Sequence, residues 1–263
     1  MRLKLAVSTM AFVLAGCCST GGGSPVVVET TLTRLELPER PSRVVRLSAG
    51  ASENTYVTLT PDQIAQAPDA RRGVVADEEV RNDCDDDLGE ELLGRAELCL
   101  GKRLSLGVSR RHGGPTLGHA RFYLAGRDRE RAKAGNVSLA LSAAYGRDQR
   151  VEHDDTQDGA YETRTRRSER NYGLILGYRL GKPALLYGGP YYLRTDYRLE
   201  HERPDTALQR SSGAAIARGG HVGLGLFAGR HSSWLIEFSR ANIDAGGDDK
   251  YLDRWSAVYQ LDF

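Results

Sequence analysis

The sequence predicts an all-β chain closed as an antiparallel up-and-down transmembrane β-barrel of ten strands, with eight as the alternative. Three observations carry this expectation. Apolar and polar side chains alternate with a period of two from about residue 42 onward. Very short connections alternate with longer polar ones. No apolar run beyond the first sixteen residues has the length of a membrane helix, and mean hydropathy is −0.45. A helical membrane protein is thereby excluded, whereas a barrel keeps its average hydropathy low by alternating two faces.

The chain opens with a basic pair, Arg2 and Lys4, and an apolar run from Leu5 to Leu14. That pattern is an export signal over 1–16, to be set aside before any reasoning about fold. The next residues, Leu14-Ala15-Gly16-Cys17, resemble the bacterial lipobox. The resemblance implies that Cys17 is diacylated, becomes the new N-terminus and carries palmitate-type chains. Several acyl chains anchor stably where one does not, at roughly 0.8 kcal/mol per buried methylene. Cys18, rather than an aspartate, follows the lipidated position, which by the same resemblance points to the outer membrane. Residues 17–41 form the lipidated N-terminus and tether, with Thr20-Gly21-Gly22-Gly23-Ser24 as a flexible spacer.

The barrel is expected over 42–263. Its strands are read at about 42–52, 90–100, 102–110, 116–126, 136–150, 160–180, 184–200, 212–228, 232–243 and 251–263. Each shows the two-residue sorting that a helix of period 3.6 cannot produce. Leu104, Leu106 and Val108 share a face. So do Ala120, Phe122 and Leu124, and so do Val137, Leu139, Leu141, Ala143 and Tyr145. Tyr172, Leu174, Leu176, Tyr178 and Leu180 form another, as do Trp234, Ile236 and Phe238. In the strand at 184–200, Leu185, Tyr187, Tyr191, Leu193, Tyr197 and Leu199 fall on one face. Arg194, Asp196 and Arg198 fall on the other. In each case the oily face is assigned to lipid and the charged face to the lumen. Arg121, Arg179, Arg194, Asp196, Arg198 and Glu237 are therefore expected inside as ion pairs or near the rims. Tyr145, Tyr161, Tyr172, Tyr187, Tyr191, Tyr197, Trp234 and Trp255 supply the interfacial aromatics.

The last strand places Tyr251, Trp255, Ala257, Tyr259, Leu261 and Phe263 on one face. Ending on phenylalanine, it resembles the signal read by the outer-membrane barrel-assembly machinery. Short turns are expected at Gly101-Lys102, Gly181-Lys182-Pro183 and Gly229-Arg230-His231, on the periplasmic side. Longer extracellular connections are expected at about Val151–Gly159, His201–Arg210 and Ala245–Lys250. With the lipid anchor at the start and the terminal phenylalanine at the finish, both ends are read as periplasmic, and the strand count is even.

The stretch 53–89 becomes one long acidic extracellular excursion, with a short hairpin at Thr55–Leu59. One alternative pairs Thr55–Thr60 with the first strand and sends 62–100 to the periplasm. The eight-strand version leaves everything before Lys102 in the periplasm. Alternation alone also fits a lipid-tethered periplasmic β-sandwich or a lipocalin-like carrier.

Charge excludes one function class. With 36 basic against 35 acidic residues the net charge is +1, without the basic excess of a nucleic-acid binder. Cys84 and Cys99 are a possible disulfide in an exported chain, although the ten-strand register sets them at opposite sides of the membrane. No cysteine or histidine spacing fits a metal site, and no cofactor is expected. His231 and Ser233 are the catalytic candidates, because a histidine beside a serine can activate its hydroxyl. The pair resembles that of lipid A deacylase barrels, but without an obvious acidic partner. His153 with Asp154 and Asp155 resembles omptin proteases in composition only. The arginine-rich run Arg164–Arg170 is read as rising above the membrane, toward lipopolysaccharide or solvent. The resemblance to small outer-membrane barrels thus implies a non-enzymatic envelope or surface protein. Its partners would be outer-membrane lipid and lipopolysaccharide, with the barrel-assembly and lipoprotein-sorting machineries during biogenesis. A barrel enzyme acting on lipid is the alternative.

Overall fold

The computed structural model describes residues 26–30, 36–41, 43–53, 55–59, 74–76, 90–111, 114–156, 159–203, 206–229, 231–244 and 249–263. Cys17, Cys18, Cys84, the expected signal peptide over 1–16 and most of the expected tether lie outside them.

Ten strands close into a barrel in chain order: β2 (Val45–Glu53), β5 (Glu90–Leu100), β6 (Leu104–Arg111), β7 (Leu117–Ala125), β8 (Val137–Thr156), β9 (Gly159–Gly181), β10 (Ala184–Arg203), β11 (Thr206–Ala228), β12 (Ser232–Asp244) and β13 (Asp249–Asp262). Every neighbouring pair is antiparallel, and β13 pairs with β2 from Ser256↔Ser52 to Asp262↔Arg46. Closure removes the free strand edges an open sheet would expose. The ten-strand reading holds with strand bounds near those expected. The eight-strand version, the sandwich and the placement of 62–100 in the periplasm do not, because β2 and β5 are full members of the wall. A separate small sheet joins β1 (Val26–Thr30), β3 (Thr55–Leu59) and β4 (Val74–Ala76) in the order β1-β3-β4. Thr55–Leu59 therefore pairs with β1 and β4 rather than forming a hairpin of its own or adding to the first barrel strand.

One end of the barrel, the turn end, carries the short connections at 101–103, 182–183 and 229–231. Gly101 and Gly229 there adopt φ of 70° and 73°, which a side chain would resist. The longest described connection, 126–136, also lies at this end and buries Arg129 and Ala132. At the other end, the loop end, two of the expected long loops are largely strand. β8 and β9 pair continuously to Thr156↔Gly159, and β10 and β11 pair to Arg203↔Thr206 with one register shift between His201 and Arg203. Strands of 20 to 23 residues (β8 to β11) thus stand beside strands of 8 and 9 (β6, β7). A tilted membrane strand needs about 9–11 residues, so the tall hairpins rise well clear of any bilayer the short strands span.

The outer surface next to the turn end is apolar. Leu98, Leu106, Phe122, Leu141, Tyr172, Leu176, Leu186, Leu226, Trp234, Ile236 and Trp255 are all exposed there. So continuous an oily belt is untenable in water. Arg121, Arg179 and Glu237 face inward, as expected, and so does Glu97.

The strand β10 departs from expectation. Leu185, Tyr187, Tyr191, Leu193, Tyr197 and Leu199 are buried in the barrel interior, whereas Arg194, Asp196 and Arg198 point outward. Tyr187, Tyr191 and Tyr197 are accordingly core residues and not girdle residues. Leu185 and Tyr187 lie at belt height, where they pack on Leu37 and Phe227 inside the lumen. From Tyr191 onward the cause is height. Above the belt the barrel wall meets water, so it sorts like a soluble protein, with oil inside and charge outside. The interior there is an apolar core of Leu193, Leu199, Ala215, Ala217, Ala241, Ile243 and Leu252 with Tyr191 and Tyr197. Gly213 leaves the space for one of these rings: a Cβ at that position would lie 2.4 Å from the Tyr197 oxygen.

Candidate functional site

The turn-end half of the lumen gathers buried charge. At the seam where the barrel closes, Arg46 on β2 faces Asp262 on β13 and donates to it from Nε at 2.7 Å and Nη2 at 3.3 Å. Arg129, from the connection 126–136, donates to the same carboxylate at 2.8 Å and to the Ser232 carbonyl at 2.6 Å. Burial draws the Arg129 guanidinium below the ordinary arginine range, against the pull of Asp262. On the strands next to the seam, with Glu97 on β5 directly opposite Arg46 in register, Arg121 pairs with Glu97 at 3.2 Å, and Ser105 and Tyr123 also donate to Glu97. Burying such charges is tolerable only because each is matched and hydrogen-bonded.

Half of the matching comes from an unexpected source. Residues 36–41, expected to be tether, lie inside the barrel. Glu36 and Glu39 are 5% and 1% exposed, and Leu37 is fully buried. Glu36 sits 3.5 Å from both Arg95 and Arg121, and Glu39 sits 3.2 Å from Arg179. Arg40 pairs with Asp128 at 2.5 Å and donates to the Gly101 carbonyl at the turn-end rim. Leu37 joins Ile175, Leu185, Tyr187, Phe227, Leu235 and Val258 in an apolar cluster. Phe227 lies between the guanidiniums of Arg129 and Arg179, at 4.4 and 4.2 Å from its ring centroid. The segment is a plug, complementary in charge and in oil to the wall around it. Its sequence signal was present but slight: Glu36, Leu37, Pro38, Glu39 and Arg40 break the small-polar composition of a tether.

The catalytic candidates do not meet. Ser233 is buried on the lumen face, and its hydroxyl donates to Gln260 Oε1 at 3.4 Å. His231 is exposed in the turn, with Nδ1 3.2 Å from the Asp262 carbonyl oxygen. Glu237, inside the barrel, accepts from Ser239 instead. No acid–histidine–serine relay is assembled from these residues. His153, Asp154 and Asp155 fall near the loop-end tip of β8. Cys99 faces the turn-end half of the lumen and bonds no described cysteine; its possible partner Cys84 lies outside the described residues.

A second feature lies on the outside, at the height where the belt stops. Arg147 stands two residues beyond Tyr145 on β8, Arg170 two beyond Tyr172 on β9, and Arg194 two beyond Tyr192 on β10. Arg218 stands four residues beyond Val222 on β11, and Arg240 two beyond Phe238 on β12. All five lie on the outer face, and side-chain exposure is 49% at Arg170, 41% at Arg194 and 64% at Arg240. Arg170 stands directly opposite Arg194 in register, and Arg166 opposite Arg198. Like charges set opposite each other oppose sheet formation. Asp196 offsets part of this, 2.7 Å from Arg194 and 4.0 Å from Arg170. Asp253 lies 3.5 Å from Arg240. Among the described residues, Arg147, Arg166, Arg198 and Arg218 have no carboxylate within ion-pair distance. The band remains net cationic.

No protein family and no curated protein matches the sequence. Among solved structures the chain is similar to the attachment invasion locus protein Ail of Yersinia pestis in complex with the heparin analogue sucrose octasulfate. The two are 11% identical with a TM-score of 0.36, covering 83% of this chain and 97% of that one. It is also similar to the outer membrane protease OmpT of Escherichia coli, at 10% identity and a TM-score of 0.38, covering 83% and 91%.

Proposed function

We propose that the chain is an outer-membrane barrel lipoprotein of structural or surface-interaction type, without enzymatic activity, whose arginine band holds anionic outer-leaflet lipid such as lipopolysaccharide. One observation carries this reading: the outer surface changes from oil to arginine at a single height on five successive strands. A bilayer demands that boundary, since acyl chains end where phosphates begin. Guanidinium is the side chain suited to phosphate, through paired donors in a planar fork. Among the described residues, the plug, its ion pairs and the apolar core above them occupy the lumen, which argues against a diffusion pore. Cys17 serves as the lipid anchor in this reading.

The test uses the mature protein refolded into phosphatidylcholine vesicles with and without bisphosphorylated lipid A. Folded barrel is expected to run faster on a gel until heated. Lipid A is expected to raise the heating midpoint by several degrees, and R170Q/R194Q/R218Q is expected to abolish that rise while leaving the barrel folded. An unchanged rise in the triple variant would refute the lipid contact. Absence of any heat-modifiable form would refute the barrel in a membrane. Loss of palmitate labelling in Cys17→Ser tests the anchor. An unaltered lipid A profile in cells carrying His231→Ala is the outcome expected of a protein that does no lipid chemistry.

A further inference from the structure

The plug runs toward the turn end, whereas β3 starts at the loop end two residues after β2, and six peptide steps join Thr30 of β1 to Glu36 of the plug. We infer that the chain enters the barrel at the loop end and runs down the lumen to β2, so that the residues before Val26, Cys17 among them, emerge at the cell surface. This rests on the proposed outer-membrane reading, which sets the loop end outside the cell, and departs from the expectation that both ends are periplasmic.

The argument is one of reach. β3 begins at Thr55, two residues after β2 ends at Glu53, so β3 starts at the loop-end rim. β1 is antiparallel to β3, with Thr30 opposite Thr55 and Val26 opposite Leu59. Thr30 is therefore at that rim too. Glu36 is held by Arg95, which pairs with Ser48, five residues down β2 from Glu53. Five strand residues amount to roughly 17 Å. Six extended peptide steps reach about 20 Å, which matches a direct descent.

The order of contacts continues downward: Glu36 meets Arg121, Glu39 meets Arg179, and Arg40 meets the Gly101 carbonyl at the turn-end rim. The chain then turns back to start β2 at Val45. Any other route from Thr30 to Glu36 would have to leave by the turn end and climb the outside of the wall. That path exceeds the nine residues of β2, about 30 Å, and six steps cannot cover it. A lipid on Cys17, nine residues before Val26, then enters the loop-side leaflet, within about 30 Å of β1. The barrel is threaded by its own N-terminus, and the ion pairs of the plug hold the thread.

The test is protease access in intact cells. A site-specific protease sequence is placed between Ser24 and Pro25 of the full-length protein. Two control insertions go between Gly246 and Gly247 at the loop end and between Lys182 and Pro183 at the turn end. The expected result is cleavage on intact cells at the first and second sites, and at the third only after the outer membrane is permeabilised. Cleavage at Ser24–Pro25 only after permeabilisation, with the 246–247 site open from outside, overturns the threading alone. Cleavage of the 182–183 site on intact cells, with 246–247 protected, overturns the orientation beneath it. An antibody raised against the peptide Ser19–Pro25 repeats the measurement on the unaltered protein. Its binding to intact cells supports threading, and binding only to permeabilised cells overturns it.

Discussion

The turn-end half of the barrel and the loop-end half are built on opposite principles from the same strands. On β12, Trp234, Ile236 and Phe238 face out while Ser233, Glu237 and Ser239 face in. A few residues on, Arg240 and Asp244 face out while Ala241 and Ile243 face in. The strand does not turn over between them. Its parity is constant, and only the medium outside it changes. In the belt the exterior is the oily phase, so charge is sheltered inside and must be matched there. Above the belt the exterior is water, so the interior reverts to an ordinary apolar core. The difference teaches that a period-two pattern gives the two faces of a strand, while height along the barrel gives their meaning.

The sharpest way to break this comparison is to put belt logic into the upper half. Leu193→Asp places an isolated carboxylate in the apolar core, where no described cation waits. An unpaired buried charge is costly enough to prevent folding, and no heat-modifiable species is expected on a gel. Arg194→Leu, one residue away but outside, is expected to fold. If Leu193→Asp folds and Arg194→Leu does not, the face assignment of β10 is wrong.

Next in size is Arg121→Ala in the lower half. It leaves Glu97 and Glu36 without their common cation, and breaking a buried pair costs about 3–5 kcal/mol. Denaturant titration in detergent should show that loss. Substitution to methionine alongside Glu97→Gln should recover part of it, because the uncompensated carboxylate at 97 is removed while Glu36 keeps Arg95.

Leu193→Ala is a smaller perturbation of the upper core, a cavity costing about 2–4 kcal/mol, read in the same titration. The smallest expected effect on stability is that of R170Q/R194Q/R218Q. Exposed ion pairs contribute about 0–1 kcal/mol, so the triple variant should unfold almost as the parent does in plain detergent. Its effect should appear only when phosphorylated lipid is present. A large loss without lipid would mean that the band is structural rather than a contact surface.

Much of this was legible beforehand. The strand bounds follow from alternation, and the turns at Gly101 and Gly229 from glycine's tolerance of positive φ. The inward placing of Arg121, Arg179 and Glu237 follows from their alternation with leucine, tyrosine and isoleucine. Alternation assigns the faces of β10 inside out because both are oily near the turn end, Leu185 and Tyr187 on one and Leu186 and Tyr192 on the other. Summing along the whole strand then let Arg194, Asp196 and Arg198 choose the lumen, although they lie above the belt. His231 and Ser233 looked like a pair because proximity in sequence was the sole information available, whereas their partners on β13 differ.

The sequence by itself determined the local facts: where strands run, where they turn, and which residues share a face, because these depend on near neighbours along the chain. Closure of β13 on β2, the swing of Arg129 to Asp262 and the docking of Glu36 and Glu39 on Arg95, Arg121 and Arg179 were decided by the tertiary structure alone. Those contacts join residues far apart in the chain, and a buried charge acquires its partner only when the wall around it has closed.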